Sequence, residues 1–288
     1  MRGIILAGGR GSRLYPMTFG TCKQLLPVFD KPMIYYPLAV LMEAGIREIL
    51  VISSEEEIPR FRRIFQDGKH LGLSISYAVQ HEPKGIAEAL LIGESFMGAS
   101  SVALILGDNI FHGQGLSTLL QKHTGLKTGA VIFGYEVRGA ERYGVIEFDP
   151  SGQICGIVEK PEVAPSNFAV TGLYFYDAEA PQIARSLRPS SRGELEITDL
   201  NNLYLRKKRL DVQLLGRGFA WLDTGTPEAL HQASVYVHTI QERQGIKIGC
   251  VEEIAYRMGY ITDEGFGRCI DAFRGTAYGK YLVECVRS

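Results

Sequence analysis

The chain has 288 residues, is 45% hydrophobic and 22% charged, and carries a formal net charge of −1. That length suits one large α/β domain or two modest ones, and the near-neutral charge gives no footprint for a nucleic-acid partner. No apolar run approaches the ~20 residues of a membrane span and no secretion signal opens the chain, so a cytoplasmic location is expected. The five cysteines, Cys22, Cys155, Cys250, Cys269 and Cys285, form no C-x-x-C pair, which argues against a disulfide framework and a zinc site. Cys22 precedes Lys23, a cation that could activate the thiol; a structural role is the alternative.

In chain order, Arg2 to Ala7 reads as a short apolar strand that runs straight into Gly8-Gly9-Arg10-Gly11-Ser12-Arg13. Glycines let a backbone bend sharply and bring its N–H groups to an anion, and Arg13 adds a planar charged fork for phosphate oxygens. Lys23 supplies a second cation. The loop matches neither the dinucleotide fingerprint, whose third glycine is missing and whose helix Pro16 forestalls, nor the P-loop. It reads as a nucleoside triphosphate cradle or as a tight turn with a surface arginine.

Met33 to Ala44 is predicted as a buried helix, Arg47 to Ile52 as a strand, Glu55 to Gln66 as an amphipathic helix, and Leu73 to Gln80 as a strand. Gly85 to Met97 follows as a helix and Ser101 to Leu106 as a buried strand. This alternation implies an α/β fold: a Rossmann-like, mostly parallel sheet flanked by helices, with ligands beyond the carboxyl ends of the strands. The glycine loop, Gln80 and Asp108 all fall there. From Thr128 the texture changes to four β-rich runs, Gly129 to Val137, Tyr143 to Asp149, Gln153 to Glu159 and Ala169 to Tyr176, expected to form an antiparallel sugar-side lobe. Helices at Ala178 to Leu187 and Glu196 to Lys207, a strand at Leu210 to Leu215, and a long helix at Pro227 to Gln244 behind Thr226 complete the pattern. The expected division is a core over 1–226, its nucleotide part about 1–127 and its sugar-side part about 128–226, with a helical segment over 227–288 packed on it.

Two strand-end carboxylates stand out. Asp108 ends Leu104-Ile105-Leu106-Gly107 and is either a magnesium ligand or a helix N-cap; Asp223 ends Phe219-Ala220-Trp221-Leu222, and Thr226 already serves the helix that follows. The two could share one metal. Lys160 and Glu159 end another strand, as a phosphate contact and a sugar-hydroxyl acceptor or as a solvated hairpin end. Gly144 and Val170 sit on glycine-bearing strand edges that suit close ligand approach or a β-bulge. Arg192 lies on a loop. The six histidines form no cluster with ligand spacing. A reaction in which an ionised phosphate attacks a triphosphate needs no side-chain base, only alignment and charge neutralisation.

Leu6-Ala7-Gly8-Gly9-x-Gly11-Ser12-Arg13-Leu14, with Lys23-Gln24-Leu25-Leu26-Pro27, resembles the signature of the sugar-nucleotide pyrophosphorylases. The resemblance is closest to the branch that transfers thymidylyl groups to glucose 1-phosphate. Asp30 to Pro37, Leu106 to Phe111, Glu141 to Val145, Val170 to Tyr176, Arg192 to Asp199 and Trp221 to Gly225 extend the match over nearly the whole chain. The resemblance implies that dTTP and α-D-glucose 1-phosphate give dTDP-glucose and pyrophosphate with Mg²⁺. By it, Gly8, Gly11, Ser12 and Arg13 hold the triphosphate, and Arg13 and Lys23 stabilise the departing pyrophosphate. Gln24, Gln80 and Gly85 meet the nucleoside, while Asp108 and Asp223 hold the metal. Asn109, Gly144, Glu159, Lys160 and Val170 line the sugar-phosphate site with help from Arg192. It also implies a homotetramer with feedback inhibition by a downstream deoxysugar nucleotide at a second site involving the C-terminal helices. Ser12, Arg10, Cys22, Ile86 and Gly265 to Ala277 depart from the pattern. The rival readings are a uridylyl- or adenylyltransferase on the same fold, a catalytically silent nucleotide-sugar sensor, and a nicotinamide reductase.

Overall fold

A computed structural model describes residues 1–9 and 11–286; Arg10, whose charge would make the glycine loop more basic, lies outside them. The first half runs β1 (Arg2–Leu6), a hairpin of β2 (Pro27–Val28) and β3 (Lys31–Pro32), α1 (Tyr35–Glu43), β4 (Glu48–Ser53), α2 (Ile58–Phe65) and β5 (Ser74–Val79). It continues with α3 (Glu88–Ile92), α4 (Glu94–Met97), β6 (Val102–Leu106), β7 (Asn109–Gly113) and α5 (Leu116–Gln121). The second half runs β8 (Ala130–Glu136), β9 (Gly144–Phe148), β10 (Ile154–Glu159), β11 (Phe168–Tyr176), α6 (Ala180–Arg185), α7 (Ile197–Arg206), β12 (Leu210–Leu215) and β13 (Phe219–Asp223). Helices α8 (Pro227–Gln244), α9 (Val251–Arg257), α10 (Asp263–Ala272) and α11 (Ala277–Cys285) close it.

One sheet organises the molecule. Its main path is β10-β9-β11-β6-β1-β4-β5, with β8 beside β11 and β12 beside β8. β6, β1, β4 and β5 are parallel, as an alternation of strands and crossover helices requires. β11 runs antiparallel to β6 and joins the parallel half to the later strands. Those antiparallel strands therefore extend the same sheet rather than forming a separate one, and β12 adds a parallel pair on β8. β1 lies at the centre and is apolar on both faces. Ile5 packs with Leu38, Leu41 and Phe61 on one side, and Ile4 with Leu90, Leu104 and Tyr176 on the other.

Two local features differ from the sequence reading. The helix expected over Gly85 to Met97 starts only at Glu88 and is divided between α3 and α4 at Gly93, which lies against Ile4. Gly85 sits at φ +101°, and a Cβ there would lie 2.6 Å from Leu195 N, so it cannot be helical. Asp108 caps no helix: it occupies the tight turn between β6 and β7, a strand absent from the sequence reading. At the C-terminal end, Thr226 Oγ1 accepts from Ala229 N at 3.2 Å and fixes the start of α8. The β2–β3 hairpin is tied to the C-terminal segment by Lys31 Nζ, which donates to Ile248 O at 2.9 Å, and by Asp30, which pairs with Lys31 and Lys247.

Candidate active site

The site forms where the parallel strands end. After β1 the chain turns at Gly11, whose φ of +58° is left-handed and where a Cβ would press on Thr18 and Lys23 at 3.2 and 3.3 Å. Thr18 Oγ1 donates to Gly11 O at 2.9 Å, and Leu14 N to the same oxygen at 2.9 Å, locking the loop into a single 3₁₀ turn over Ser12–Leu14. No long helix opens here. A second such turn, Lys23–Leu25, presents two buried polar side chains, Lys23 and Gln24. Gln24 Oε1 is buried without a partner among the described residues, and its Nε2 lies 3.4 Å from Gly8 O.

The two carboxylates meet because β7 and β13 form a separate antiparallel ribbon in which Asn109 pairs with Asp223. Asp108, one residue earlier, is anchored by Thr224, whose Oγ1 donates to Asp108 O at 2.8 Å. Asn109 is the hub. Its Nδ2 donates to Asp108 Oδ1 at 2.9 Å, and its Oδ1 accepts from Gly172 N at 3.0 Å and Trp221 Nε1 at 2.6 Å. Burial pushes the Asp108 carboxyl up, but the Lys23 ammonium, bonded to Oδ2, and the Asn109 amide hold it below the ordinary range. Asp223 goes the other way: burial first, then the Asp108 charge, push it up in spite of Lys23, Arg13 and Arg142. Lys23 is paired directly with Asp108, while Asp223 feels Lys23, Arg13 and Arg142 without a direct ion pair among the described residues, and burial with the neighbouring Asp108 charge outweighs them.

That donor set fits a hard divalent cation held by one or two carboxylates and completed by phosphate oxygens and water. Among the described residues no group of three or more His, Cys, Asp or Glu side chains could hold a metal, so an all-protein cage is not on offer.

Beyond the carboxylates lies a cavity of about 200 Å³, bordered by Arg13, Asp108, Asn109, Gly144, Glu159, Lys160, Val170 and Asp223. Val170 precedes a shift of register in β11 between Val170 and Tyr174, so the ladder is interrupted where the strand forms a wall of the cavity. Glu159 accepts from Thr198 Oγ1 at 2.5 Å, and Lys160 Nζ lies 3.6 Å from it. Lys160 has φ +42°, an uncommon conformation for a side chain this large. Arg192 borders the cavity only through its partners: it pairs with Glu196 at 2.9 Å and reaches Glu159 at 3.5 Å. Arg142, Thr198 and Trp221 also line the cavity and were not among the expected site residues. All three lie inside stretches that carry the family resemblance, Arg142 in Glu141 to Val145, Thr198 in Arg192 to Asp199 and Trp221 in Trp221 to Gly225, which was the signal available for them. On the nucleotide side, Gly9 and Gln80 border a second, open cavity of about 540 Å³. Cys22 is buried, and burial followed by Glu57 pushes its thiol up to about 12, so Lys23 does not activate it.

Away from these lies a third cavity of about 360 Å³, between α1, the end of β7, α9 and the 246–249 segment, with Glu43, His112, Lys247 and Glu253 in its wall. No helix among the described residues is long and apolar enough to cross a membrane.

A glycine loop at the end of β1, two neighbouring carboxylates and a cavity of about 200 Å³ walled by the antiparallel strands have the make-up of a nucleotide-transferring enzyme. The Nucleotidyl transferase family model matches residues 2–240, and the chain belongs to that family. Within it, the chain is 53% identical over 287 residues to glucose-1-phosphate thymidylyltransferase of Neisseria meningitidis, covering all of both proteins. It thus belongs with the glucose-1-phosphate thymidylyltransferases. Among solved structures, a Bacillus anthracis protein assigned to that group and crystallised with sucrose superposes with a TM-score of 0.76. The two are 40% identical, over 82% of this chain and 94% of that one. A UDP-glucose pyrophosphorylase complexed with UDP-glucose gives a TM-score of 0.73 at 26% identity, over 83% of this chain and 98% of that one.

Proposed function

We propose that this enzyme transfers a thymidylyl group from dTTP to α-D-glucose 1-phosphate, giving dTDP-glucose and pyrophosphate. The observation that carries the reading is the meeting of Asp108 and Asp223 across the β7–β13 ribbon, with Arg13 and Lys23 on one side and the Glu159–Lys160 cavity on the other.

A glucose 1-phosphate oxygen forms the new bond to the α-phosphorus of dTTP as the bond to the β-phosphate bridging oxygen breaks, in line. The attacking phosphate is already ionised at neutral pH, so no side chain needs to remove a proton. Lys160 holds it as a point charge. Gly144, Glu159, Val170 and Asn109 fix the sugar, with Arg192 acting on Glu159. Gly8, Gly11, Ser12 and Arg13 cradle the triphosphate, and Arg13 and Lys23 take up the charge that develops on the leaving pyrophosphate. Gln24, Gln80 and Gly85 meet the nucleoside. Asp108 and Asp223 would hold Mg²⁺, which when bound neutralises phosphate charge and orients the reacting groups.

The reading extends to a homotetrameric, cytoplasmic enzyme with feedback inhibition by a downstream deoxysugar nucleotide at a second site involving the C-terminal helices, and the 360 Å³ cavity against α9 is the candidate that supports it. The test is pyrophosphate release with Mg²⁺ and glucose 1-phosphate, comparing dTTP, UTP, ATP, CTP and GTP. Fast release with dTTP and slower release with UTP is expected. A preference for UTP or ATP would move the assignment to a sister enzyme, and release with none from protein that binds dTTP would favour a sensor.

A further inference from the structure

Gln80 is buried, and its amide can face the base slot in two ways. With Oε1 exposed it accepts a hydrogen bond; with Nε2 exposed it donates one. The choice decides which bases pair with it, because thymine and uracil present N3–H, whereas N3 of cytosine and N1 of adenine are bare acceptors.

We infer that Glu88 makes this choice, and that it is a positioning residue for base selectivity, resting on the reading of Gln80 as the base contact. Gln80 Nε2 donates to Glu88 Oε2 at 2.7 Å. A carboxylate has no proton to give, so the amide end that faces it is the NH₂ end. The chemistry of the pair alone fixes this orientation. The Lys84 backbone N–H donates to the same oxygen at 3.2 Å, a second donor that requires an acceptor there.

The Lys84 segment is itself fixed. Leu195 N donates to Lys84 O at 2.7 Å, and Ala87 N donates to Leu195 O at 3.2 Å. Glu88 is the first residue of α3, where a carboxylate often serves only the helix end. Here it makes no capping bond to the helix and turns back to Gln80 and Lys84.

The other end of the amide, Oε1, lies over Gly8, so close that a Cβ on Gly8 would collide with it. The bare glycine therefore leaves the acceptor presented beside the start of the phosphate loop. A base with N–H at that position gains a hydrogen bond. One with a lone pair there sets acceptor against acceptor, and that mismatch rejects it. The arrangement does not separate thymine from uracil, which share N3–H; the methyl must be read by other groups.

The test compares wild type with Glu88→Met, which keeps the side chain's length and removes the acceptor, and Glu88→Gln, which keeps an acceptor oxygen for both donors. Two readouts are taken on each folded protein: dissociation constants for dTMP and dCMP by calorimetry without metal, and kcat/KM for dTTP and dCTP with glucose 1-phosphate. Glu88→Met should shrink the preference for thymine over cytosine at least tenfold in both readouts, chiefly through weaker thymidine binding, with kcat for dTTP nearly unchanged. Glu88→Gln should keep the preference within about threefold. A dTTP-selective wild type with an unchanged ratio in Glu88→Met overturns the inference alone, as does an equal loss for both bases. A wild type that prefers ATP or CTP overturns the thymidylyl reading and the inference with it.

Discussion

The Lys23 ammonium is bonded to Oδ2 of Asp108, the carboxylate on which a divalent cation would sit. Lys23 is almost fully buried, so this is an internal counter-ion and not a loose surface pair. A cation entering the site competes with it, and the competition ends when a triphosphate offers Lys23 a new anion. Lys23→Met should therefore bind Mn²⁺ about tenfold more tightly than wild type without nucleotide, equivalent to ~1.4 kcal/mol. Its turnover should fall at least a hundredfold. Titration of the free enzyme with Mn²⁺, followed by electron paramagnetic resonance, reads the first effect; unchanged or weaker binding would refute the counter-ion role.

Asp108 and Asp223 answer the same substitution with opposite changes in stability. Asp108→Asn strands the buried Lys23 charge and should destabilise the metal-free protein by about 1–3 kcal/mol. Asp223 is strained by burial and by the neighbouring Asp108 charge, so Asp223→Asn should stabilise it by about 0.5–2 kcal/mol. Both should cut turnover severely. Urea unfolding in the presence of a chelator separates them, and changes of the same sign would contradict the charge balance described for this site.

Three strands of the parallel half, β1, β4 and β6, were legible as short apolar runs buried on both faces, Ile4-Ile5 in β1 being the extreme case, and β5, at the sheet edge, was legible by its alternation. β7 was not. Its five residues begin with Asn109 and end with Gly113, and its sheet partner among the described residues, β13, lies over a hundred residues away. That ribbon is what brings Asp108 to Asp223, so spacing alone could suggest their convergence without establishing it. Gly85 read as a helix start because apolar residues follow it at helical intervals; its left-handed φ and its contact with Leu195 are tertiary facts. The same holds for Arg142 and Thr198, which line the cavity from a short turn and a helix end. At Val170 the sequence posed bulge against ligand edge; the structure has a break of register beside Val170 and places the residue in the cavity wall.

Lys160 combines a place at the end of β10 with a left-handed backbone, φ +42°. A residue with a Cβ holds that conformation at a cost of about 1–2 kcal/mol, which glycine avoids. Lys160→Ala and Lys160→Gly should both raise KM for glucose 1-phosphate at least tenfold with little change in KM for dTTP. The glycine variant should be the more stable of the two by about 1 kcal/mol. Steady-state kinetics against each substrate and thermal unfolding of both variants check the two halves. An unchanged dependence on glucose 1-phosphate would remove Lys160 from the phosphate contact.

Glu43, at the end of α1, faces the 360 Å³ cavity with Glu253 of α9 nearby. Burial first, and the Glu253 charge second, push its carboxyl up from 4.5 to about 7. The folded protein therefore keeps this proton to higher pH than the unfolded chain does. Stability falls as pH rises from about 4.5 to about 7, and above that the full penalty of an ionised Glu43 is present, about 1–3 kcal/mol. Glu43→Gln cannot ionise. Its advantage over wild type in urea unfolding should grow between about pH 5 and pH 7 and then stay level to about pH 8.5. A difference independent of pH would show that the glutamine acts through packing instead. Ionisation also adds negative charge to the cavity wall, so an anionic nucleotide in this cavity should bind more tightly to wild type at about pH 6 than at about pH 8, while Glu43→Gln loses that dependence.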